Sequence, residues 1–429
     1  MPDFKLVADQ FRGKRVLIVG DVMLDIFSYG EVSRISQEAP VPVLHIKSQN
    51  AMPGGASNVA ANIAALGGLP ILLGVVGNDV NKDRLCSELE QRHIATDFLV
   101  SSSRPTTVKQ RFVSVSHQLL RVDYEVADAI SGVAEDQVVK LIERHMSESD
   151  IVVVSDYAKG VITPRVMNAL KEEALRHNKK IIVDGKVKNK GLFKGVFLIK
   201  PNAKEALEMS SLTQISQAGP KLVKDLNANV CVTAGPDGIW LFEKSGSLQH
   251  IPTKRVAVYD LTGAGDTVVS VLALATACGF SLVESAQLAN QVANVVIQKP
   301  GTAVVTLEEL EQHVIAEVPK GWGKELWIAN TDTYCGKKLM LLKGKTCSVH
   351  YHDKKDETFY VQSGKVEMSL QDRDGHKQRC VLVAGDKARI SPGVLHQFYG
   401  LEDSELFEFS THHFEEDSFR VMPGDSQKL

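Results

Sequence analysis

Residues 260–267 read Asp-Leu-Thr-Gly-Ala-Gly-Asp-Thr and run into a largely apolar stretch from Val268 to Leu274. Two glycines and an aspartate therefore stand at the mouth of a buried helix. Gly263 and Gly265 let the backbone turn tightly and leave no side chain between its N–H groups and an approaching anion. The free N–H groups and dipole of the first helical turn then form a site for phosphate oxygens. A carboxylate repels phosphate, so Asp266 is a poor choice if holding phosphate is the only task. It makes sense as the base that takes a proton from a hydroxyl attacking a phosphoryl group. Standing alone, the octamer reads as a glycine-rich turn with an aspartate cap.

Other segments supply what such a reaction needs. Pro53-Gly-Gly-Ala-Ser-Asn-Val-Ala60 is glycine-rich and leads into a small-residue helix. Gly54 and Gly55 let the backbone come close to a polyol, and Asn58 offers both a donor and an acceptor. Asp21 and Asp25 end the first strand and suit contacts to vicinal hydroxyls. Asn202 and Glu205, three apart at a helix start, suit Mg²⁺-bound water. Thr233, Gly235 and Gly238 follow another strand and suit a nucleotide phosphate or ribose; Asn290 and Asn294 are assigned to the same ATP/Mg²⁺ side. Each piece alone reads as structural. Together they indicate phosphoryl transfer to a sugar.

A second constellation lies further on. Gly344 is followed by His350-Tyr-His352, Glu357 and Gly364, and Gly385 precedes Ser391-Pro-Gly-Val-Leu-His396. Strand alternation puts His350 and His352 on one face. Glu357 opens the next strand and His396 comes from another. Three neutral imidazoles and a carboxylate suit a borderline divalent metal such as zinc, manganese, iron or nickel. His412 and His413 read as a solvated tail, and Asp353-Lys-Lys-Asp356 as a solvated turn.

The elements that must position these groups fall into two kinds. Up to about residue 316, flat apolar runs (15–19, 71–76, 151–154, 180–183 and 230–233) alternate with helix candidates (58–66, 166–176 and 216–225). That pattern specifies an α/β, doubly wound parallel sheet with ligands at the C-terminal strand ends. Residues 41–45 and 107–124 break it with polar–apolar alternation, which predicts antiparallel strands forming a flap. From Gly321 onward come short strands (339–343, 346–350, 357–362, 365–370, 380–383 and 406–410) separated by turns, the pattern of a small all-β barrel. The organisation expected is therefore residues 1–316, a linker at 317–323, and a second domain at 324–429.

The chain has 429 residues, 44% of them hydrophobic and 24% charged, with a formal net charge of −3. These values give no electrostatic reason to expect nucleic acid or an acidic membrane as partner. The charged N-terminal segment (1–15) and the absence of an apolar run of membrane length argue against a secretory signal and a membrane span, so a cytoplasmic location is expected. Six scattered cysteines without Cys-x-x-Cys spacing fit reduced thiols.

The segments at 53–60 and 260–267 and the Asn202/Glu205 pair resemble the signatures of the ribokinase-type (PfkB) carbohydrate kinases, over roughly residues 10–316. More narrowly, Val19-Gly-Asp-Val-Met-Leu-Asp25, Ser33-Arg-Ile-Ser36, Glu38-Ala-Pro-Val-Pro-Val43, Ser155-Asp-Tyr-Ala-Lys-Gly160 and Val258–Thr267 are similar to bacterial D-glycero-β-D-manno-heptose-7-phosphate 1-kinases. The resemblance implies ATP and Mg²⁺, a heptose 1,7-bisphosphate product on the way to lipopolysaccharide or surface glycans, and a homodimer. It makes Asp266 the base, gives Gly263, Ala264 and Gly265 the transferring phosphoryl group, and sets Asp21, Asp25 and Asn58 against the sugar. A sugar already bearing phosphate needs basic anchoring, for which Lys109, Arg111, Arg121, Lys159 and Lys186 are the candidates. Gln37 and Asp184-Gly185-Lys186 depart from the heptose kinase pattern, and the nucleotidyltransferase half often fused to these kinases has no counterpart in these residues. A catalytically dead sensor is the competing reading; retention of Asp266 and both glycines argues against it.

The histidine constellation resembles the two cupin motifs, with Ser391 and Gly400 replacing a usual proline and asparagine. Gly321-Trp-Gly-Lys-Glu-Leu-Trp327 and Tyr334-Cys-Gly336 look like the cupin part of mannose-6-phosphate isomerases. The whole is thus expected to be a ribokinase-like fold with a β flap, followed by a cupin barrel. For the cupin, phosphosugar isomerisation, a non-catalytic sugar-binding or assembly module, and an oxygenase compete, the last ranked lowest. An isomerase could make the kinase's own substrate from sedoheptulose 7-phosphate. The alternative for the whole chain is a kinase of another (phospho)sugar with a non-catalytic cupin.

Overall fold

The computed structural model describes residues 9–115, 117–254, 256–299, 301–313 and 316–427. The N-terminal segment read for a secretory signal lies partly outside them. The chain divides into two compact units, Val7–Leu310 and, apart from the N-terminus, Glu311–Leu429.

In the first unit the strands are β1 (Arg15–Gly20), β2 (Val22–Ile35), β3 (Pro42–Gly55), β4 (Leu69–Val76), β5 (Leu99–Ser101), β6 (Val108–Ser114), β7 (His117–Tyr124), β8 (Ile151–Ser155), β9 (Ile181–Asp184), β10 (Leu198–Ile199), β11 (Asn229–Thr233), β12 (Ile239–Phe242) and β13 (Leu248–Ile251). Nine of them form the main sheet in the order β13-β12-β11-β10-β9-β8-β1-β4-β5. Pairing is parallel from β11 through β5 and antiparallel from β11 to β13. The central strands are buried on both faces, as their flat runs of Val, Leu and Ile require.

Three helices position the chemistry: α1 (Ala56–Ala65), α2 (Ala203–Ser210) and α3 (Ala264–Ala277). α3 is apolar almost all round and buried from Asp266 to Thr276, a core helix rather than a surface one. α1 is built of small residues, so its backbone comes close enough for Ser270 of α3 to donate to the Val59 carbonyl at 3.2 Å.

The flap is a four-stranded sheet, β3-β2-β6-β7. Its outer pairs are antiparallel, as the alternation predicts, but β2 and β6 pair in parallel. The parallel β2–β6 pairing joins the two antiparallel pairs into one sheet.

The second unit carries strands β14 (Ala316–Lys320), β15 (Gly323–Asn330), β16 (Cys335–Leu341), β17 (Val349–Tyr351), β18 (Glu357–Ser363), β19 (Lys365–Gln371), β20 (Lys377–Val383), β21 (Lys387–Ile390), β22 (Leu395–Gly400), β23 (Ser404–Ser410) and β24 (Phe419–Met422). They form two sheets, β14-β15-β16-β23-β18-β21 and β20-β19-β22-β17-β24, around a core that includes Phe359, Val361, Met368, Phe398 and Leu406. The linker expected at 317–323 is corrected: Ala316–Lys320 pairs antiparallel with Gly323–Trp327. The Pro and Gly signals there mark a hairpin turn, where Gly323 adopts φ 144°, not a domain hinge.

Candidate functional site

Asp266 sits in the first turn of α3 with 3% of its surface exposed. Its Oδ2 accepts from Asn58 Nδ2 and its Oδ1 from the Tyr157 hydroxyl, each at 2.7 Å. Burial raises its pKa to about 7; these two hydrogen bonds pull it down and the Asp184 charge pushes it up. Tyr157 is held protonated, well above its ordinary range, by burial and by the charges of Asp266, Asp184 and Asp25. The carboxylate is thus oriented, dry and poised near neutrality, as a general base requires.

Asn58 is oriented in turn. Thr267 Oγ1 donates to Asn62 Oδ1 at 2.8 Å, and Asn62 Nδ2 donates to the Asn58 carbonyl at 2.9 Å and to Asn58 Oδ1 at 3.2 Å. Gly263 caps α3 with φ 83°, and a Cβ there would lie 2.7 Å from Asn58 Nδ2. Only glycine gives both that conformation and that approach. Gly54 and Gly55 meet the same need, since a Cβ on Gly54 would press within 2.6 Å of Asp25 Oδ2.

Beside Gly265 a cavity of about 200 Å³ gathers Asp184, Lys186, Lys200, Asn202, Glu205 and Thr233. Lys200 is buried and pairs with Asp184 at 3.0 Å. Asn202 and Glu205 form a capping box on α2: Asn202 Oδ1 accepts from the Glu205 N–H at 2.9 Å, and Glu205 Oε2 from the Asn202 N–H at 3.0 Å. The other Glu205 oxygen pairs with Lys186. Lys186 is therefore corrected: it faces the Asn202/Glu205 cavity and not the flap, because β9 aims the segment after Asp184 toward α2. Gly235 and Gly238 shape the turn after β11 with φ 54° and 80°. Asn290 and Asn294 hold the segment after β13 instead of lining this cavity: Asn290 Nδ2 donates to the Pro252 carbonyl and Asn294 Oδ1 accepts from Thr253.

On the opposite side of Tyr157, Asp21 accepts from the backbone N–H groups of Tyr157, Lys159 and Val161 at 2.7–3.2 Å. These three N–H donors tie the carboxylate to the loop that carries Tyr157. Asp25 is buried and paired with Arg111 at 2.7 Å. Lys109 reaches Asp123 at 3.2 Å and Glu125 at 3.5 Å, Lys159 also pairs with Glu125, and Arg121 with Asp123. Lys109, Arg121 and Lys159 thus form one network with Asp123 and Glu125, and Arg111 pairs separately with Asp25.

In the second unit, His350 and His396 face each other across β17 and β22, and His352 follows β17 directly. Their ring nitrogens lie within 4.8 Å of one another. Each Nδ1 contacts a backbone carbonyl: His350 that of Ser348 (2.9 Å), His352 that of Asp417 (2.7 Å) and His396 that of Val394 (3.1 Å). Those bonds place the proton on Nδ1 and leave the Nε2 lone pairs free. Burial keeps all three imidazoles neutral, His350 with a pKa of about 4. Glu357 Oε1 lies 3.5 Å from His352 Nε2, and Oε2, buried without a hydrogen-bond partner, lies 3.3 Å from His396 Nε2. This donor set fits a divalent transition metal. Beside it, Lys355 is buried and ion-paired with both Glu357 and Glu408. The solvated-turn reading of 353–356 is corrected there, and so is the tail reading of His413, which packs edge-on against Trp327 at 4.9 Å and lines the same cavity.

Sequence reasoning missed Tyr157, Asp184, Lys200, Lys355 and Glu408. The signal for the first three was positional: they end or follow β8, β9 and β10, where ligands of such sheets gather.

Comparison with known proteins agrees with this geometry. Residues 14–309 match the family model described as pfkB family carbohydrate kinase, and residues 338–409 match that of the cupin domain. The bifunctional protein HldE of Caulobacter vibrioides is 42% identical over 309 residues, 70% of this chain and 63% of its own length; HldE of Hahella chejuensis is 37% identical over 350 residues, 79% of this chain and 72% of its own. The chain thus spans under two thirds of the Caulobacter relative. Among solved structures, phosphofructokinase-2 from Escherichia coli (20% identity, TM-score 0.60) and Arabidopsis thaliana ribokinase (20% identity, TM-score 0.56) share the fold over 70% of this chain and 98% and 97% of their own. With its glycine-capped helix, its buried Asp266 and a family match across most of its length, the chain belongs to the pfkB family of carbohydrate kinases and carries a cupin domain after the kinase unit.

Proposed function

We propose that the kinase unit transfers the γ-phosphoryl group of ATP to the anomeric hydroxyl of D-glycero-D-manno-heptose 7-phosphate, giving the 1,7-bisphosphate. The observation that carries this reading is Asp266, a buried base with a pKa of about 7 beside the N–H groups that open α3. The heptose is supported by the motifs at 19–25, 33–36, 38–43 and 155–160 and by the HldE relatives. Asp266 accepts the hydroxyl proton as the oxygen attacks phosphorus and ADP leaves. Gly263, Ala264 and Gly265 supply N–H donors to the phosphoryl oxygens. Asn202, Glu205 and Thr233 border the nucleotide phosphates, with Glu205 suited to a water on Mg²⁺. Asp25 and Asn58 meet the sugar, and Lys109, Arg121 and Lys159, with Arg111 from its pair with Asp25, meet its 7-phosphate. We assign the enzyme to the cytoplasm as a homodimer.

For the cupin we propose one divalent transition metal on His350, His352, His396 and Glu357 and isomerisation of a phosphosugar. When bound, the metal would polarise the carbonyl and hydroxyl oxygens of the sugar. Lys355 and Glu408 fix Glu357 from behind, and a cavity of about 120 Å³, also bordered by Lys320, Lys337 and Arg420, offers cations to a phosphate. Incubation with ATP, Mg²⁺ and either sedoheptulose 7-phosphate or mannoheptose 7-phosphate, read by mass and phosphorus NMR, tests both halves. Bisphosphate from the aldose supports the kinase assignment; bisphosphate from the ketose requires the isomerase as well. Failure with the aldose rejects the heptose.

A further inference from the structure

The opposite end of the kinase sheet carries a cavity that phosphoryl transfer leaves unused. It lies at the N-terminal edges of β9, β10 and β11, away from Asp184, Lys200 and Thr233, and has a volume of about 470 Å³. Five lysines line it: Lys171, Lys179, Lys180, Lys194 and Lys244. They come from separate places: the helix Pro164–Arg176, the turn after it, the turn before β10 and the turn between β12 and β13. Among the described residues no ion pair joins any of the five to a carboxylate. Of the acids on neighbouring elements, Glu173 is engaged by Arg176 and Asp225 by Lys190 and Lys221, while Glu172 and Glu243, beside Lys171 and Lys244 in the chain, form no ion pair with the five among the described residues. This contrasts with the catalytic side, where Lys109, Lys159, Lys186 and Lys200 each have a carboxylate partner. Five like charges around one hollow repel one another, and an anion relieves that repulsion. The floor is apolar: Phe197 lies under the Lys180 ammonium at 4.6 Å, beside the buried Ala174, Ile181 and Val196.

We propose that this cavity is an anion site, separate from the catalytic pocket, for a compact small molecule carrying two or more phosphates. Lysines without arginine provide point charges for a phosphate cluster and not a fork for one planar carboxylate. A hollow of this size admits a small molecule, and the net charge of −3 gives no general attraction to nucleic acid. The shared chemistry is clustered phosphate, which an inorganic oligophosphate or a sugar bisphosphate can supply.

Titration calorimetry of the full chain with tripolyphosphate, and separately with fructose 1,6-bisphosphate, tests the site at physiological ionic strength. The wild type is expected to show a binding event that K171Q/K180Q/K194Q weakens by at least about tenfold, since three of the five ammonium charges facing the anion are removed. K171R/K180R/K194R should retain it, and the KM for ATP should stay within about twofold in both variants, because none of the three lines the catalytic pocket. Tighter binding of the bisphosphate assigns a phosphate ester, and tighter binding of tripolyphosphate an oligophosphate. Absence of binding by either probe, or equal affinity in the glutamine variant, overturns the proposal.

Discussion

The Tyr157 hydroxyl donates to Asp266 Oδ1 at 2.7 Å although the two residues stand 109 positions apart. With Asn58 on Oδ2, both oxygens of the buried carboxylate are engaged before any substrate arrives. The phenol, itself kept protonated, stabilises the ionised form of Asp266 against the cost of burial. Burial makes the base strong and the two hydrogen bonds restrain it, which leaves its pKa at about 7.

Replacing Asp266 by Asn should lower kcat by about 10²–10⁴-fold, the usual loss for a positioned general base, while ATP binding is retained. Single-turnover rates and equilibrium ATP binding on the same sample check this. A variant within about threefold of wild type removes Asp266 from the mechanism.

The pH dependence follows from the same carboxylate. Asp266 acts when ionised, so kcat/KM should climb as pH rises through about 7 and level off above it. In Tyr157→Phe the donor that favours the carboxylate is gone, and the acid limb should move to higher pH. Limbs that coincide in the two enzymes would separate Tyr157 from the base.

The residues legible in the sequence were those whose roles are set by near neighbours. Gly263, Gly265 and Asp266 declare themselves because a helix start specifies its own N–H groups. The histidines do so because strand alternation fixes their spacing. Tyr157, Lys200 and Asp184 were not legible, since each matters through a partner brought by another strand of the sheet. Lys186 went to the wrong cavity for the same reason. Asn202 and Glu205 were picked for Mg²⁺ by a spacing that in the fold builds a capping box on α2. Asp21 was picked as a sugar contact, and the loop it holds by three N–H groups cannot be read from its own segment. In the second unit Lys355 hides in a polar run that looks solvated until β18 and β23 close around it.

For the phosphate anchor, Lys109→Ala and Arg121→Ala should each raise the KM for the phosphosugar well above any change in KM for ATP. Removing Arg111 should in addition destabilise the fold, because it leaves Asp25 buried without its partner; such losses run to about 3–5 kcal/mol. Thermal denaturation alongside the kinetics distinguishes the two effects. Equal efficiency of the intact enzyme on phosphorylated and unphosphorylated sugar rules the anchor out.

Purified protein should carry about one divalent transition metal per chain, and His350→Ala or His396→Ala should lose it, because a native metal site depends on its full ligand set. Elemental analysis and chelator competition measure this without reference to activity. Chelation should also lower the melting temperature of the cupin unit, since an ion bound only by the folded form stabilises it. Kinase turnover on preformed aldose phosphate should survive both treatments, and conversion from the ketose should not. If the wild type exchanges no C6 or C7 ketose and aldose phosphates, the cupin is a binding module.

Glu205 gives one oxygen to the first turn of α2 and the other to Lys186. A wall of the cavity beside Gly265 is therefore also the beginning of a helix. Drift in that wall is policed by folding: a substitution that reshapes the cavity at Glu205 also frays α2. The two demands can be met together by few side chains other than the one present, so this part of the cavity should tolerate less variation than the flap.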